Sequence, residues 1–420
     1  YILIKMINFS KKIKSLGPCL LWASAAIGVS HIVQSTRAGA TYGYILLIAV
    51  LLANLFKYPF FEFATRYTTV KNETVLDGYL KLGRFAIYLF TALTLLTMFT
   101  IQAGVTRVTA AIFRNWLQLD LSFLSCSVLI LIFCILIIFF LKRKFFNNFI
   151  KILVSILILS SITSLFLTTD INIGNLSEFT APKIISYTGI TFIIALIGWM
   201  PSPIDLSAWS SIWIMEKREQ GETVSYDDNK FDFNFSYIWT TFLACVFLAL
   251  GANVFYGTGE EFAPNSAMFV DQLVQLYASL GLWAKQLILL TAFSTMFSTT
   301  LTCLDAFPKV LSKCFSLIFS IKEKTPQRNR LPFLLFVVFG TVVTISFLGE
   351  QMKSLVDIAT ILSFLTAPFL AILNYKLVFS DSFPTTYKPN NFLKLLSITG
   401  IIFLILFTII FISNIFGLLF

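Results

Sequence analysis

The stretch Gly17–Gly39, GPCLLWASAAIGVSHIVQSTRAG, decides how the rest of the chain is read. Its first half, Leu20 to Ile27, is apolar enough to enter a membrane, and it then breaks into Gly28-Val29-Ser30-His31. His31 is the one histidine of the chain. A polar, glycine-containing break inside an apolar span frees backbone groups that lipid cannot satisfy, so such breaks persist where they line a cavity or a bound ion. A second break, Gly198-Trp199-Met200-Pro201-Ser202-Pro203, also interrupts an apolar span. Two interrupted helices in corresponding halves of a chain point to a binding site between them.

Composition agrees with a membrane reading. Of 420 residues, 57% are hydrophobic and only 12% charged, where soluble domains carry about 25%. Apolar runs long enough to span a bilayer fall at 17–41, 43–66, 84–113, 122–142, 149–168, 184–214, 235–257, 278–304, 331–348, 354–379 and 395–418. This predicts an all-α polytopic membrane protein with about 11 spans. Lysine and arginine collect at the N-terminus and in the loops at 66–84, 142–151, 215–230, 309–330 and 376–394. The positive-inside rule therefore predicts a cytoplasmic N-terminal segment 1–16 and an outer C-terminus, in a multi-pass protein of a bacterial inner membrane. The formal charge of +10 is loop charge on this reading, and no nucleic-acid partner is expected. No obligate protein partner is inferred; the lipid bilayer is the surrounding.

Six cysteines, none in a CxxC pair, read as small buried residues rather than disulfides or a metal cluster. No Ser-His-Asp arrangement, HExxH or phosphate-binding GxxxxGK is present, so the chain is not expected to be an enzyme or to hold a cofactor. Spans one to five and six to ten form two five-helix halves, about 17–168 and 184–379, each opening with a broken helix. An odd number of spans per half inverts the second half, which is the 5+5 inverted repeat of LeuT-type transporters. The run 395–418 is an additional C-terminal span.

The first span carries a resemblance. Gly17-Pro18, the run 19–27, the break 28–31 and the run ending Ala38-Gly39 resemble the first helix of the Nramp (natural resistance-associated macrophage protein) divalent-metal transporters. Tyr42-Gly43-Tyr44 with the following LLIAVLLANL looks like that family's second helix, and ALIGWMPSP at 195–203 like its sixth. Where the family has Asp-Pro-Gly-Asn, this chain has Gly28, Val29, Ser30 and His31; the acidic ligand is absent. Met200 and Pro201 are retained, but the next two positions are Ser202 and Pro203. Ile197 stands where a small residue's carbonyl faces the metal, and Thr360 is the match for the tenth-helix glutamine. The third span, MFTIQAGVTRVTAAI at 98–112, lacks the family's proton-relay carboxylates and has Arg107.

The residues themselves allow two roles each. His31 is a transition-metal ligand or a structural hydrogen-bond partner, and Met200 a soft ligand or a core methionine. Gly28 leaves backbone open to a ligand. Asp205 is a replacement acid or the cap of the half-helix after the second break. Ser298 and Thr299, with Asp305 beyond them, line a coupling-ion site or bond back to their own helix. Arg37 and Arg107 need buried partners, for which Asp205 and Glu62 are the candidates. Gln34 and Ser35 would line the outer vestibule.

The resemblance implies a secondary transporter moving a divalent cation, Mn²⁺ or Fe²⁺ by the His/Met pair or hydrated Mg²⁺ by the missing acid. It would work by alternating access and without the usual proton relay. Two other readings stay open: a LeuT-fold carrier of a small organic solute, sodium-coupled or not, and a non-transporting membrane sensor.

Overall fold

A computed structural model describes residues 17–140, 143–167, 182–222, 224–258, 270–272, 284–321, 330–348 and 351–417. The N-terminal segment 1–16, most of the loop 169–183 and the expected start of the eighth span at 278 lie outside the described residues.

The described chain is almost wholly helical. The first span divides into α1 (Pro18–Ala26), a π-helical segment (Ser30–Ser35) and α2 (Thr36–Tyr42). Then follow α3 (Leu47–Lys71), the short α4 (Val75–Leu82), α5 (Arg84–Trp116), α6 (Phe123–Phe140) and α7 (Arg143–Leu167). The sixth span divides into α8 (Tyr187–Trp199) and α9 (Leu206–Glu219). The chain continues with α10 (Tyr226–Phe255), α11 (Ala284–Ile318), α12 (Leu331–Leu348), α13 (Met352–Phe379) and α14 (Asn391–Ile415).

The ends of these helices follow from local chemistry. Thr74 and Asp77 form a reciprocal capping box at the start of α4. Ser186, Ser225 and Asn390 accept N–H bonds at the starts of α8, α10 and α14. Gly17 and Cys19, at the start of α1, have no local cap. Their N–H groups donate instead to Asp232 of α10 at 3.1 and 3.0 Å, so a distant acid fixes where the broken span begins.

Burial separates a bundle from its lipid-facing rim. The most hydrophobic windows of α6, α12 and α14 are only 28%, 22% and 22% buried, against 61% for α13. Phe133, Phe339, Phe347 and Ile409 point outward from the rim helices, as they would toward hydrocarbon. Seven of the described helices are long and apolar enough to cross a bilayer. The two broken spans lie inside, packed by α3, α10, α11 and α13. Trp22 of α1 stacks on Tyr237 of α10 at 5.6 Å between ring centroids and leans on Phe61 of α3. The breaks are thereby held on a scaffold of unbroken helices.

Candidate functional site

At the first break α1 stops at Ala26, and the N–H groups of His31 and Ile32 both turn back to the Gly28 carbonyl. The carbonyls left behind are met by side chains. The Thr299 hydroxyl of α11 lies 3.1 Å from the Ser24 carbonyl and 3.0 Å from that of Ile27. Ser30 Oγ donates to Ala26 at 2.6 Å. His31 is fully buried, with Nε2 donating to the Thr240 carbonyl at 2.9 Å and Nδ1 2.7 Å from Ser30 Oγ. Both ring nitrogens are engaged by the protein, and the histidine ties the break to α10.

Gly28 is explained by what stands beside it. A Cβ built there would lie 2.6 Å from Thr299 Oγ1 and 2.8 Å from its methyl carbon. An aspartate cannot enter unless Thr299 moves, so the absence of the acid and the approach of Thr299 are one structural change.

The second break is made by prolines. In a continuous helix the Ile197 carbonyl would receive the N–H of residue 201, and that of Trp199 the N–H of residue 203. Pro201 and Pro203 have none. Lys57 of α3 meets the freed Ile197 carbonyl together with two neighbouring ones. Its Nζ donates to Ile197 at 2.6 Å, to Gly198 at 2.8 Å and to Ser202 at 3.4 Å. An ammonium has three donors, and here each meets a carbonyl. Lys57 is fully buried. The Asp205 carboxylate lies within Coulombic reach of it, is 5% exposed, and has no hydrogen-bond partner on either oxygen among the described residues. It makes no side-chain cap for α9.

The remaining expected residues are distributed as follows. Met200 is buried against the π-helical segment, its sulfur 3.9 Å from Ser35 Oγ. Thr360 sits beside the second break, where a Cβ at Gly198 would meet its carbonyl at 2.3 Å, but its hydroxyl bonds to Asp357 of its own helix. The Ser298 hydroxyl is buried with no partner among the described residues. Asp305 is drawn away from the breaks into a network in which it accepts from Lys309 at 2.6 Å and Trp213 at 3.2 Å; Lys309 and Arg330 also hold Glu216.

The arginines find other partners than Asp205 and Glu62. Arg37 pairs with Asp357 at 2.8 Å and bonds Gln34, joining α2 to α13. Arg107 stacks over Phe123 with 3.9 Å between guanidinium carbon and ring centroid. Glu62 is taken by Arg66, one turn along the same helix, at 2.6 Å. Between the two breaks is a small cavity bordered by Ala26, Val29 and Ser30, by Trp199, Pro203 and Leu206, and by Ile101, Val105, Thr299 and Cys303; its walls are mostly apolar.

Lys57 is the residue that sequence pattern alone passed over. Its signal was available: a lysine in the interior of the apolar run 43–66, where intramembrane cations are rare and mark function or pairing.

Two broken helices meeting inside an all-helical bundle are also found in known proteins. The model of the family described as natural resistance-associated macrophage protein-like matches residues 19–414. The chain belongs to the Nramp family. It is 34% identical over 415 residues to an uncharacterised protein of Pasteurella multocida, covering 98% of this chain and 94% of the other. Among solved structures it resembles the manganese transporter of Eremococcus coleocola, in a mutant form, with a TM-score of 0.76 at 15% identity, over 97% of this chain and 89% of the other. It also resembles MhsT in complex with L-phenylalanine, with a TM-score of 0.62 at 12% identity, over 95% and 98% of the two chains. The fold is the LeuT type. This Nramp member is an integral membrane transporter and not an enzyme.

Proposed function

We propose that this Nramp member is a secondary transporter that moves a divalent metal cation across the membrane by alternating access. The observation that carries the reading is the second break. Three main-chain carbonyls converge there on a positive charge, and an unpartnered carboxylate, Asp205, supplies the field. Carbonyl and carboxylate oxygens suit hard and borderline divalent ions. Met200 stands on the same loop and adds a soft donor. The manganese transporter of similar fold points to the same class of cargo.

Alternating access needs closures at both ends of the site, and two sets of ion pairs suit that part. Arg37–Asp357 joins the half-helix after the first break to α13. At the other end Glu216, Lys309, Asp305 and Arg330 join α9 to α11 and the start of α12. On the orientation inferred from loop charge the first is the outer closure and the second the cytoplasmic one. The halves 17–168 and 184–379 would rock against each other between these closures, with 395–418 as an added span. Residues 98–112 carry no carboxylate, so proton relay through that helix is not part of the cycle.

Uptake of Mn²⁺ into proteoliposomes, read by quenching of an entrapped dye, tests the reading. Flux that follows the Mn²⁺ gradient and persists when the proton gradient is collapsed is expected. Absence of flux and of calorimetric binding for Mn²⁺, Fe²⁺ and Mg²⁺ at millimolar concentration would overturn it. The likeness in fold to MhsT in complex with L-phenylalanine favours one second reading, a carrier of a small organic solute; sodium-dependent amino-acid uptake by the same vesicles would establish that instead.

A further inference from the structure

We propose that Lys57 is a resident competitor for the cargo: its ammonium fills the carbonyl cage of the second break, and a metal ion enters only as Lys57 leaves. The inference rests on the reading of that cage as a cation site. The contacts are those of a bound cation, with three carbonyl oxygens of one loop on one Nζ. A divalent ion could not share the cage, because a second positive charge within contact distance in a buried site is strongly repelled. The lysine also has somewhere to go. Both oxygens of Asp205 lack hydrogen bonds among the described residues, and the two side chains already feel each other's charge.

The arrangement has a consequence for the transport cycle. A carrier that returns empty must cross with uncapped carbonyls and a bare buried carboxylate, which is unfavourable in a membrane. With Lys57 seated, the empty site is already neutralised. The tethered cation takes the part that a co-transported ion plays elsewhere, so the return stroke needs no coupling ion.

The test is Mn²⁺ binding by calorimetry to purified wild type and Lys57→Met, each shown monodisperse by size exclusion. Removing the ammonium leaves Asp205 as the uncompensated charge of the site, and Lys57→Met is expected to bind Mn²⁺ at least ten-fold more tightly. Lys57→Gln serves if the methionine variant does not fold. A wild-type structure in Mn²⁺, read by anomalous scattering, supplies an arm that needs no variant. It is expected to show metal at the Ile197 and Gly198 carbonyls with Nζ withdrawn from them. Equal or weaker affinity in a folded variant, or metal in the cage with Nζ still bonded to those carbonyls, overturns the proposal and leaves the cation-transport reading standing. Failure of wild type and variants alike to bind Mn²⁺, Fe²⁺ or Mg²⁺ at millimolar concentration overturns both.

Discussion

The two breaks solve the same problem with different chemistry. Near Gly28 the carbonyls freed by the end of α1 are met by hydroxyls, those of Thr299 and Ser30. Near Pro201 the carbonyls freed at the end of α8 are met by an ammonium. A hydroxyl is a neutral donor and needs no counter-charge. An ammonium buried in the same bundle does, and Asp205 provides it. The first break is thus a closed neutral joint, and the second is a site arranged around a positive charge. On the proposed reading the cation would bind on the side of the second break, away from the first-helix position where the family's acid would stand.

The sharpest way to break this contrast is to neutralise Asp205. Asp205→Asn leaves the Lys57 ammonium buried with no carboxylate near it, and breaking a buried pair in this way typically costs about 3–5 kcal/mol. Thermal denaturation in detergent should show the loss directly. If the two groups act as a pair, the double variant Lys57→Met/Asp205→Asn recovers most of it. Single losses that simply add would show that the two side chains do not interact, and the contrast between the breaks would fall with them.

A second test exchanges the chemistry of the first break for that of the family. Gly28→Asp restores the acid but drives its Cβ into Thr299, 2.6 Å from Oγ1. Forcing atoms into a packed core costs about 1–3 kcal/mol, and folded yield should drop accordingly. Thr299→Ala in the same chain removes the colliding atoms and should return the yield. The double variant should then bind Mn²⁺ at the first break as well, visible as a second anomalous peak. Unimpaired folding of Gly28→Asp alone would show that Thr299 does not occupy the place of the acid.

The two breaks also differ in how much of them a single sequence reveals. The breaks themselves were legible, because a glycine-polar run or a Pro-x-Pro inside an apolar span is a local signal. The helix boundaries were legible for the same reason: α5, α12 and α13 lie within a few residues of the runs that hydropathy marks. Partnership was not legible. Arg37 finds Asp357, 320 residues away in sequence, and Lys57 finds carbonyls 140 residues away, and neither spacing leaves a trace in a single sequence. Side chains were judged by type, so His31 and Met200 drew attention. Main-chain carbonyls, which every residue has, give no cue of their own: the Nramp resemblance alone pointed to the Ile197 carbonyl, and nothing pointed to that of Gly198 or to Lys57 as its partner.

A smaller effect is expected at Arg37–Asp357, the proposed outer closure. Asp357 is 29% exposed at its side chain, so its pair with Arg37 is partly screened, and exposed pairs contribute about 0.2–1 kcal/mol. Arg37→Gln should barely change the melting temperature. It should change the rate of Mn²⁺ uptake without changing equilibrium affinity, because the closure joins α2 to α13 and touches neither cage carbonyl. A matching fall in affinity would place Arg37 at the site and not at its gate.

Little effect on binding is expected from the chain's one histidine. His31 donates from Nε2 to Thr240 and engages Ser30 through Nδ1, so neither nitrogen faces a free position. His31→Ala leaves the Thr240 carbonyl buried without that donor, a loss of about 1–3 kcal/mol, and the melting temperature should fall. The Mn²⁺ dissociation constant should stay within about two-fold of wild type, since a twofold change is only a few tenths of a kcal/mol. If affinity instead falls tenfold or more in a folded His31→Ala protein, the imidazole must turn from Thr240 to the ion during binding. The first break would then be a ligand-bearing joint after all, and the difference between the two breaks would be one of conformation and not of chemistry.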